Sequence, residues 1–304
     1  QYHGCQADPQ DYVGWFEKQF PNYYDAYASA ALRPLVEQLV GVCERQFGTE
    51  HPQTAGALSK VARVALMQGD VELMAPLLKR ALAIQEQALP PDHPDTALTL
   101  AAMGGYHSGH GDLAAAEPFF QRALLIRERV LGPEHLLTLD ALDHLAKAKF
   151  ELGHLDEAEA LFRRVLDTHE RSAGPEHSDT AFALTALGEV LAKKGEHATA
   201  EPLLRRALAV QQKVLPADHP DTGLSLWHLA ATPRGLQRRN EAEPLARRTL
   251  AMWEAGFGPE HEWTAWALIS LAETRLAQDD GVEAAALAER AARVLQRVFG
   301  AEHP

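Results

Sequence analysis

The stretch Asp92-His93-Pro94-Asp95-Thr96 sets the period of this chain, because its first two residues recur at a fixed distance. An acidic residue followed by histidine occurs at seven places, each 42 residues after the one before. These acid-histidine pairs are Glu50-His51, Asp92-His93, Glu134-His135, Glu176-His177, Asp218-His219, Glu260-His261 and Glu302-His303. Self-similarity at a fixed period of roughly 20 to 50 residues is typical of proteins built from stacked repeats.

Each copy starts with a pattern that predicts an amphipathic helix. One leucine recurs in phase, and an apolar and a small residue follow three and four positions later, as Val61 and Ala62 follow Leu58. Apolar residues at i, i+3 and i+4 share one face of a helix. The in-phase leucines are Leu58, Leu100, Leu142, Leu184, Leu226 and Leu268. The small residue beside each of them permits the close approach of a neighbouring helix.

A turn and a second helix complete each copy. Glycines at the turn can take the left-handed conformation that ends a helix, and they are Gly69, Gly111, Gly153 and Gly195. The second helix carries alanine in phase at Ala116, Ala158, Ala200, Ala242 and Ala284. Its later turns are rich in leucine and arginine, as in residues 203–208. The unit is therefore a helix, a glycine turn, a longer helix and a loop that ends in the acid-histidine pair.

This unit resembles the tetratricopeptide repeat, in the 42-residue form found in kinesin light chains. The resemblance lies in the leucine phase of the first helix, the glycine turn, second helices of the type in residues 200–208 and the junction His93-Pro94-Asp95-Thr96. It implies an all-α fold, a right-handed superhelical α-solenoid of stacked antiparallel helix pairs. It also implies a concave groove, lined by the first helices, that binds a protein or a peptide.

The repeat divides the chain into three parts. Residues 51–302 hold six tandem repeats, and residues 303–304 begin a further one. Residues 1–50 are less regular, and we expect them to form an N-terminal cap with a degenerate first repeat whose second helix spans 29–47. Solenoids need such polar end caps for solubility.

Two copies depart from the pattern. In the fifth, Pro233 stands where the first helix would continue. A proline inside a helix costs about 3 kcal/mol or more, so we predict that this helix ends early or kinks near Thr232. In the last copy the glycine moves to Gly281, so we expect a less regular C-terminal end.

Composition excludes several classes of function. The 29 basic and 42 acidic residues give a net charge of −13, which argues against a general affinity for nucleic acid or anionic lipid. No apolar run approaches the roughly 20 residues that cross a bilayer, so we expect no membrane insertion. Two cysteines, Cys5 and Cys43, fit a reducing, cytoplasmic setting, and whether they pair stays open.

The sequence offers no catalytic or cofactor motif that we recognise. A phosphate loop, a His-Glu-x-x-His zinc helix and a Gly-x-Ser-x-Gly elbow are all absent. The repeated histidines stand about 10 Å apart in such a stack, too far to share a metal, so we predict a structural role before the first helix. His107, His110 and Asp112 have metal-ligand spacing, but a surface turn that happens to hold histidines explains them better.

The residues that vary between copies are the candidates for binding. The resemblance places three positions of each first helix in the groove. They read Gly56, Leu98, Asp140, Phe182, Leu224 and Trp266; then Ser59, Ala101, Asp143, Thr185, Trp227 and Ile269; then Arg63, Gly105, Lys147, Glu189, Ala231 and Glu273. Lys60, Arg63, Lys147 and Lys149 make the first half partly basic, and Phe182, Trp227 and Trp266 make the second half aromatic.

From these positions we choose the candidate peptide-binding residues Lys60, Arg63, Asp143, Lys147, Phe182, Glu189, Trp227 and Trp266. The alternative for the two tryptophans is that they pack between neighbouring helices. Many kinesin light chain relatives carry an Asn-Asn pair after the in-phase leucine, and no copy here keeps it. Their mode of gripping a peptide therefore applies only as an analogy of class.

We predict a non-enzymatic scaffold, without metal or cofactor, whose partner is a protein or peptide segment. The alternative is a sensor or regulatory array of a larger signalling protein, with an NTPase, protease or kinase domain outside this sequence. We expect a monomer, with a homodimer through the C-terminal edge as the alternative.

Overall fold

The computed structural model describes residues 29–68, 70–216, 219–236 and 238–300, which contain thirteen α-helices and no strand. They form two compact units that divide between Leu152 and Gly153. The first unit holds α1 (Ser29–Phe47), α2 (Pro52–Met67), α3 (Val71–Ala88), α4 (Pro94–Gly109), α5 (Leu113–Leu131) and α6 (Leu136–Glu151). The second holds α7 (Leu155–Ser172), α8 (Ser178–Lys193), α9 (His197–Val214), α10 (Pro220–Gly235), α11 (Arg239–Phe257), α12 (Glu262–Ala277) and α13 (Gly281–Phe299).

Within each unit, every helix packs against the next one along the chain, which confirms the predicted all-α fold of stacked helix pairs. Helix α1 covers the residues for which the sequence predicts the second helix of a degenerate first repeat. Residues 1–28 lie outside the described part of the chain. That residues 1–50 act as a cap stays a proposal.

The junction histidines begin the first helices, and this is the structural role predicted for them. All six first helices are 16 residues long and start directly after the histidine. Each imidazole Nδ1 accepts a hydrogen bond of 3.2–3.3 Å from the backbone N–H two residues later. One of the N–H groups that a helix start leaves without an intrahelical partner is thereby satisfied, as by any good N-cap.

At four of these junctions a threonine hydroxyl makes a further hydrogen bond. Thr138 Oγ1 donates a 2.8 Å hydrogen bond to the carbonyl of Gly132, which has a φ of 87°. Three other junctions repeat this bond, in the pairs Thr54–Gly48, Thr180–Gly174 and Thr264–Gly258. Where a Leu-Pro step replaces the glycine, the hydroxyls of Thr96 and Thr222 are buried without a partner among the described residues. At these junctions the glycine therefore also supplies the carbonyl that accepts the hydrogen bond from the threonine.

The acidic member of the acid-histidine pair links one helix pair to the next. Three of these carboxylates bind a basic side chain 37 residues later, near the end of the following second helix. The ion pairs are Asp92–Arg129 at 3.1 Å, Glu176–Lys213 at 2.6 Å and Glu260–Arg297 at 2.5 Å. All six side chains are largely exposed, so water and salt screen these pairs and they contribute little to stability.

The predicted early end of the fifth first helix is wrong. Helix α10 runs from Pro220 to Gly235 and has the same length as the other first helices, with Pro233 inside it. Proline has no N–H for the carbonyl of Leu229, four residues earlier. Thr232 Oγ1 donates a 2.9 Å hydrogen bond to that carbonyl instead. The threonine hydroxyl therefore replaces the backbone donor that the proline removes.

This substitution can be tested with a double-mutant cycle. Thr232→Val should lower the free energy of unfolding by about 1–2 kcal/mol, because it leaves the buried Leu229 carbonyl without a donor. In a Pro233→Ala background the backbone N–H returns, and the same change should cost less than about 0.5 kcal/mol. Urea unfolding of the four proteins, followed by far-UV circular dichroism, measures the difference. An equal loss in both backgrounds would contradict this role of the hydroxyl.

Small residues let the two helices of a repeat approach closely, as predicted. A Cβ added at Gly104 would stand 2.6 Å from the ring of Phe120, and one added at Gly188 would stand 2.6 Å from Leu204. Cys43 is buried in the core between α1 and α2, while Cys5 lies outside the described residues. In the last repeat, Asp279 takes the left-handed turn conformation with a φ of 65°, so Gly281 is free to start α13.

Candidate binding surface

Three first helices of the second unit, α8, α10 and α12, pack side by side. They carry the half-buried or exposed side chains Phe182, Leu224, Trp227 and Trp266, and we call this set the aromatic face. Phe182 is 41% exposed and Trp266 is 43% exposed. Two residues further along, Leu184 and Leu268 are fully buried, so the same helices have complete packing on their other side.

Trp227 belongs partly to the core. Its ring centroid lies 6.1 Å from that of Trp253 and 4.8 Å from that of His228, and it is half-buried. Trp253 is 1% exposed and donates a 3.3 Å hydrogen bond from Nε1 to the carbonyl of Pro220. The ring of Trp227 therefore packs against a neighbouring helix, as the packing alternative predicts, whereas Trp266 keeps 43% of its surface exposed.

His228 lies beneath this face. Its side chain is buried, and its Nε2 has no hydrogen-bond partner in the part of the chain that the structure describes. Burial lowers the pKa of His228 to about 4, because the charged imidazolium would lose its hydration. The Oε2 of Glu189 lies 3.5 Å from Nε2, and the glutamate side chain is 36% exposed.

Carboxylates lie on the same helices as the aromatic face. Glu189 and Glu273 lie one turn beyond its middle on α8 and α12, and Asp179 and Asp221 lie in the first turns of α8 and α10. Asp221 Oδ2 is 3.1 Å from His219 Nδ1. The aromatic face thus offers apolar contact area on helices that also carry acidic side chains.

In the first unit the candidate residues are charged instead of aromatic. Lys60 and Arg63 lie together on α2 beside a cavity between α2 and α4. Asp143 and Lys147 form an ion pair of 2.6 Å on α6, with the lysine side chain 64% exposed. Since this pair largely neutralises itself, the positive charge of this unit's first helices comes mainly from α2.

Three of the residues placed in the groove by sequence pack elsewhere. Lys149 was expected to add to the basic half, but its Nζ lies 2.8 Å from Glu117 on α5 and its side chain is only 12% exposed, so this expectation is wrong. Ser59 and Thr185 are buried between neighbouring first helices. Ser59 Oγ is 3.0 Å from Thr99 Oγ1, and Thr185 Oγ1 is 2.7 Å from Ser225 Oγ.

One position near the end of each second helix was missed by the sequence analysis. It recurs every 42 residues as Gln85, Arg127, His169, Gln211, Trp253 and Leu295. Arg127 Nη1 donates to the carbonyl of Leu137 at 2.6 Å and to Asp140 at 3.0 Å, at the start of the next first helix. The position therefore reaches between neighbouring first helices. Its variation between copies, inside an otherwise constant helix, is the signal that could have found it.

The histidine cluster of the second repeat makes local contacts. His110 Nδ1 lies 2.7 Å from the carbonyl of Tyr106, and the ring of His107 stacks on Phe119. Within the described residues, no three side chains of metal-binding type come close enough to hold an ion. In the same part of the chain, no helix has the length and apolar character needed to cross a membrane.

Comparison with known proteins identifies the repeat from which this fold is built. A sequence profile of the tetratricopeptide repeat matches residues 53–124, 110–171, 150–213, 179–255 and 221–297. No curated protein sequence matches the chain.

Solved structures share the fold. TPR-like repeats assigned to a kinesin light chain of Podosopora anserina are 25% identical with a TM-score of 0.58, over 68% of this chain and 98% of that chain. BtubC (BKLC) from P. vanneervenii is 16% identical with a TM-score of 0.52, over 98% of this chain and 95% of that chain. A Rap protein in complex with competence and sporulation factor is 14% identical with a TM-score of 0.65, over 94% and 78%. Since the matched segments run from residue 53 to residue 297, the chain belongs to the tetratricopeptide repeat family.

Proposed function

We propose that this protein is a non-enzymatic scaffold that holds a segment of another protein on the aromatic face of its second unit. The observation that carries the proposal is the exposure of Phe182 on α8 and Trp266 on α12, the two helices that flank α10, each by about two fifths of its surface. Exposed aromatic rings are unfavourable in water and are enriched at the centres of binding interfaces. A partner that covers both rings would remove this apolar surface from solvent.

The charge around the face indicates the chemistry of the partner. Asp179 and Asp221 lie in the first turns of α8 and α10, and the whole chain carries a net charge of −13. Electrostatic complementarity speeds association and selects against partners of like charge. We therefore infer a peptide segment with an apolar anchor flanked by lysine or arginine.

The family supports this proposal at the level of class. One Rap protein of this fold was solved with competence and sporulation factor bound. At 14% identity that likeness extends to the fold alone, so the residues of this chain carry the specific argument.

The test begins with a random peptide library selected on the purified protein. The double substitution Phe182→Ala/Trp266→Ala should weaken the selected peptides by at least about 30-fold in Kd, because both apolar anchors lose their contacts. The melting temperature should hardly change, since both side chains are exposed. Trp227 is left intact in this test because its ring also packs on Trp253.

A matched control removes exposed apolar side chains from another surface of the same unit. Val282 and Val298 on α13 are 85% and 44% exposed, and their replacement by alanine should leave peptide affinity unchanged. Affinity that survives the aromatic substitutions, or that falls equally in the control, would rule out the aromatic face. Raised salt should weaken binding if the carboxylates on these helices contribute.

A further inference from the structure

The first unit has a mainly apolar cavity of about 160 Å³ where α4, α5 and α6 meet. Leu98 from α4, Val130 from α5 and Leu137 from α6 line it, together with the buried Ile126. The first three side chains are 40%, 45% and 46% exposed, and the neighbouring Leu136 is 75% exposed. Apolar side chains that stay exposed around a concavity are typical of a binding site.

This cavity is particular to one junction and is not a consequence of the repeat. The residues at the positions of Leu98, Val130 and Leu137 in other copies are Gly56, Ala88 and Asp95; Asp140, Ser172 and Asp179; Phe182, Val214 and Asp221; and Leu224, Gly256 and Trp263. Three of these four sets end in aspartate, which favours the N-terminus of a helix. Leu137 lacks that advantage and exposes an apolar side chain instead, which indicates a role in binding.

At the other junction whose set ends in an apolar residue, the protein fills the space itself. Trp263 holds the position of Leu137, and its ring centroid lies 5.2 Å from that of Trp253, which holds the position of Arg127. In the first unit, leucine is shorter than tryptophan, and Arg127 is bonded to the Leu137 carbonyl. The comparison indicates that an apolar side chain from outside is the fitting occupant of the cavity.

Hydrogen bonds hold the walls of the cavity in place. Arg127 Nη1 donates to the Leu137 carbonyl at 2.6 Å, and Thr138 Oγ1 donates to the Gly132 carbonyl at 2.8 Å. Both acceptors are backbone atoms, so neither bond depends on the side chain of Leu137. A cavity that is formed before its ligand arrives spares the ligand the cost of ordering it.

The volume and the charge of the cavity define the ligand. A cavity of about 150 Å³ in another protein holds benzene, so a side chain up to the size of a phenyl ring fits here, whereas an indole is larger. Asp95 also lines the cavity, and its side chain is 59% exposed. His93 Nδ1 lies 3.8 Å from this carboxylate but accepts a hydrogen bond from the Asp95 N–H, so it has no proton to donate. A lysine or arginine beside the apolar anchor would pair with Asp95.

Other charges nearby indicate where that cation lies. Lys60 and Arg63 line the neighbouring cavity on the α2 side, which Asp95 also borders. Since like charges repel, we place the basic residue of the ligand on the α6 side of Asp95. The buried Arg127 is paired with Asp140 at 3.0 Å, so it adds little net charge there.

We propose that this cavity is a second peptide-binding site, which takes a leucine, isoleucine, methionine or phenylalanine side chain with a lysine or arginine next to it. The site lies entirely within the first unit and takes its own segment. It goes beyond the proposed function, because it makes the protein an adaptor that binds two separate segments.

The test selects a random peptide library on the Phe182→Ala/Trp266→Ala protein, whose aromatic face has lost its anchors. The recovered peptides should carry one of the four apolar residues next to a basic one. Leu137→Asp should weaken them by at least about 10-fold in Kd, because it replaces an apolar wall with a charge. Its melting temperature should be unchanged or higher, since aspartate favours a helix N-terminus, whereas a structural leucine would lower it on replacement.

Val130 and Val214 provide a matched pair of variants. They hold the same position in two repeats, each is 45% exposed, and Ser172 holds that position in a third repeat. Val130→Ser should weaken the selected peptides by about 3-fold to 10-fold, because it removes apolar contact in the cavity. Val214→Ser should change their affinity by less than about 2-fold.

Asp95→Asn tests the charge separately. Replacing the basic residue of a selected peptide by alanine should weaken binding to a protein with Asp95 by about 3-fold or more. The same replacement should change binding to Asp95→Asn by less than about 2-fold, since the ion pair is already lost.

The outcomes separate this inference from the proposed function. The inference would be overturned by the absence of binders to Phe182→Ala/Trp266→Ala, by peptides without the apolar and basic pair, or by affinity that survives Leu137→Asp. None of these results bears on the peptides that need Phe182 and Trp266. Those peptides should bind Leu137→Asp with unchanged affinity, and an equal loss there would contradict two independent sites.

Discussion

Replacing Trp253 with alanine is expected to lower the free energy of unfolding by about 3–5 kcal/mol. The side chain is 1% exposed and lies between α10 and α12, with its ring centroid 5.2 Å from that of Trp263. Alanine would leave a large cavity and would also remove the donor to the carbonyl of Pro220. The packing around this indole is tight, because a Cβ added at Gly223 would stand 2.2 Å from its Nε1.

The matched control is Trp266→Ala, which removes the same side chain from the aromatic face. Since Trp266 is 43% exposed, the expected loss is below about 1 kcal/mol. Urea unfolding followed by far-UV circular dichroism measures both variants without relying on tryptophan fluorescence. Similar losses for the two variants would mean that Trp253 is not the core residue described here. Hydrogen exchange should locate the damage of Trp253→Ala in α10 to α12, since repeats depend on their nearest neighbours.

The contrast between these two tryptophans shows what the sequence could predict. A strict period of 42 residues fixes the phase of every helix, and each repeat packs only against its neighbours, so the order of elements follows from one repeated pattern. The first helices accordingly begin after each junction histidine, as predicted. The same phase places Trp266 on the exposed side of its helix. Trp253 could not, because it comes from the second helix and reaches between first helices.

The remaining errors arise where a contact made by one side chain overrides a general rule. Pro233 predicts that the helix ends early or kinks. The hydroxyl of Thr232 supplies the missing donor to Leu229 and the helix continues, so the early end is wrong and the kink stays a prediction. Lys149 was placed in the groove by its charge, but Glu117 holds it against α5. Both outcomes depend on a contact between particular atoms, which a periodic pattern does not specify.

The variable position near the end of the second helix also explains why the candidate sites differ between units. Where it is tryptophan, at Trp253, it fills the space between first helices and supports Trp227 from below. Where it is glutamine, at Gln85, the side chain is buried beside a cavity between α2 and α4. Substituting this one position therefore changes both the packing beneath the first helices and the chemistry that they present.

Acidification should destabilise the second unit through His228. Burial lowers the pKa of its imidazole to about 4 in the folded protein, whereas an unfolded histidine titrates near about 6.5. Between these values the unfolded chain binds a proton that the folded chain does not, so stability falls as the pH falls through this window. The expected loss between pH 8 and pH 5 is about 2 kcal/mol. Glu189, at 3.5 Å and partly exposed, offsets only part of the cost of a buried imidazolium.

Two glutamine variants test this prediction because glutamine does not titrate. His228→Gln should reduce the difference in urea midpoint between pH 8 and pH 5, while His144→Gln should leave it unchanged. His144 holds the equivalent position two repeats earlier, and its side chain is 48% exposed. The carboxylates held by arginine in the second unit, such as Glu243 with its lowered pKa, lose their charge only at lower pH and do not interfere. If the wild type and His228→Gln showed the same pH dependence, water would have to reach the imidazole, and Trp227 above it would then be more mobile than its packing on Trp253 implies.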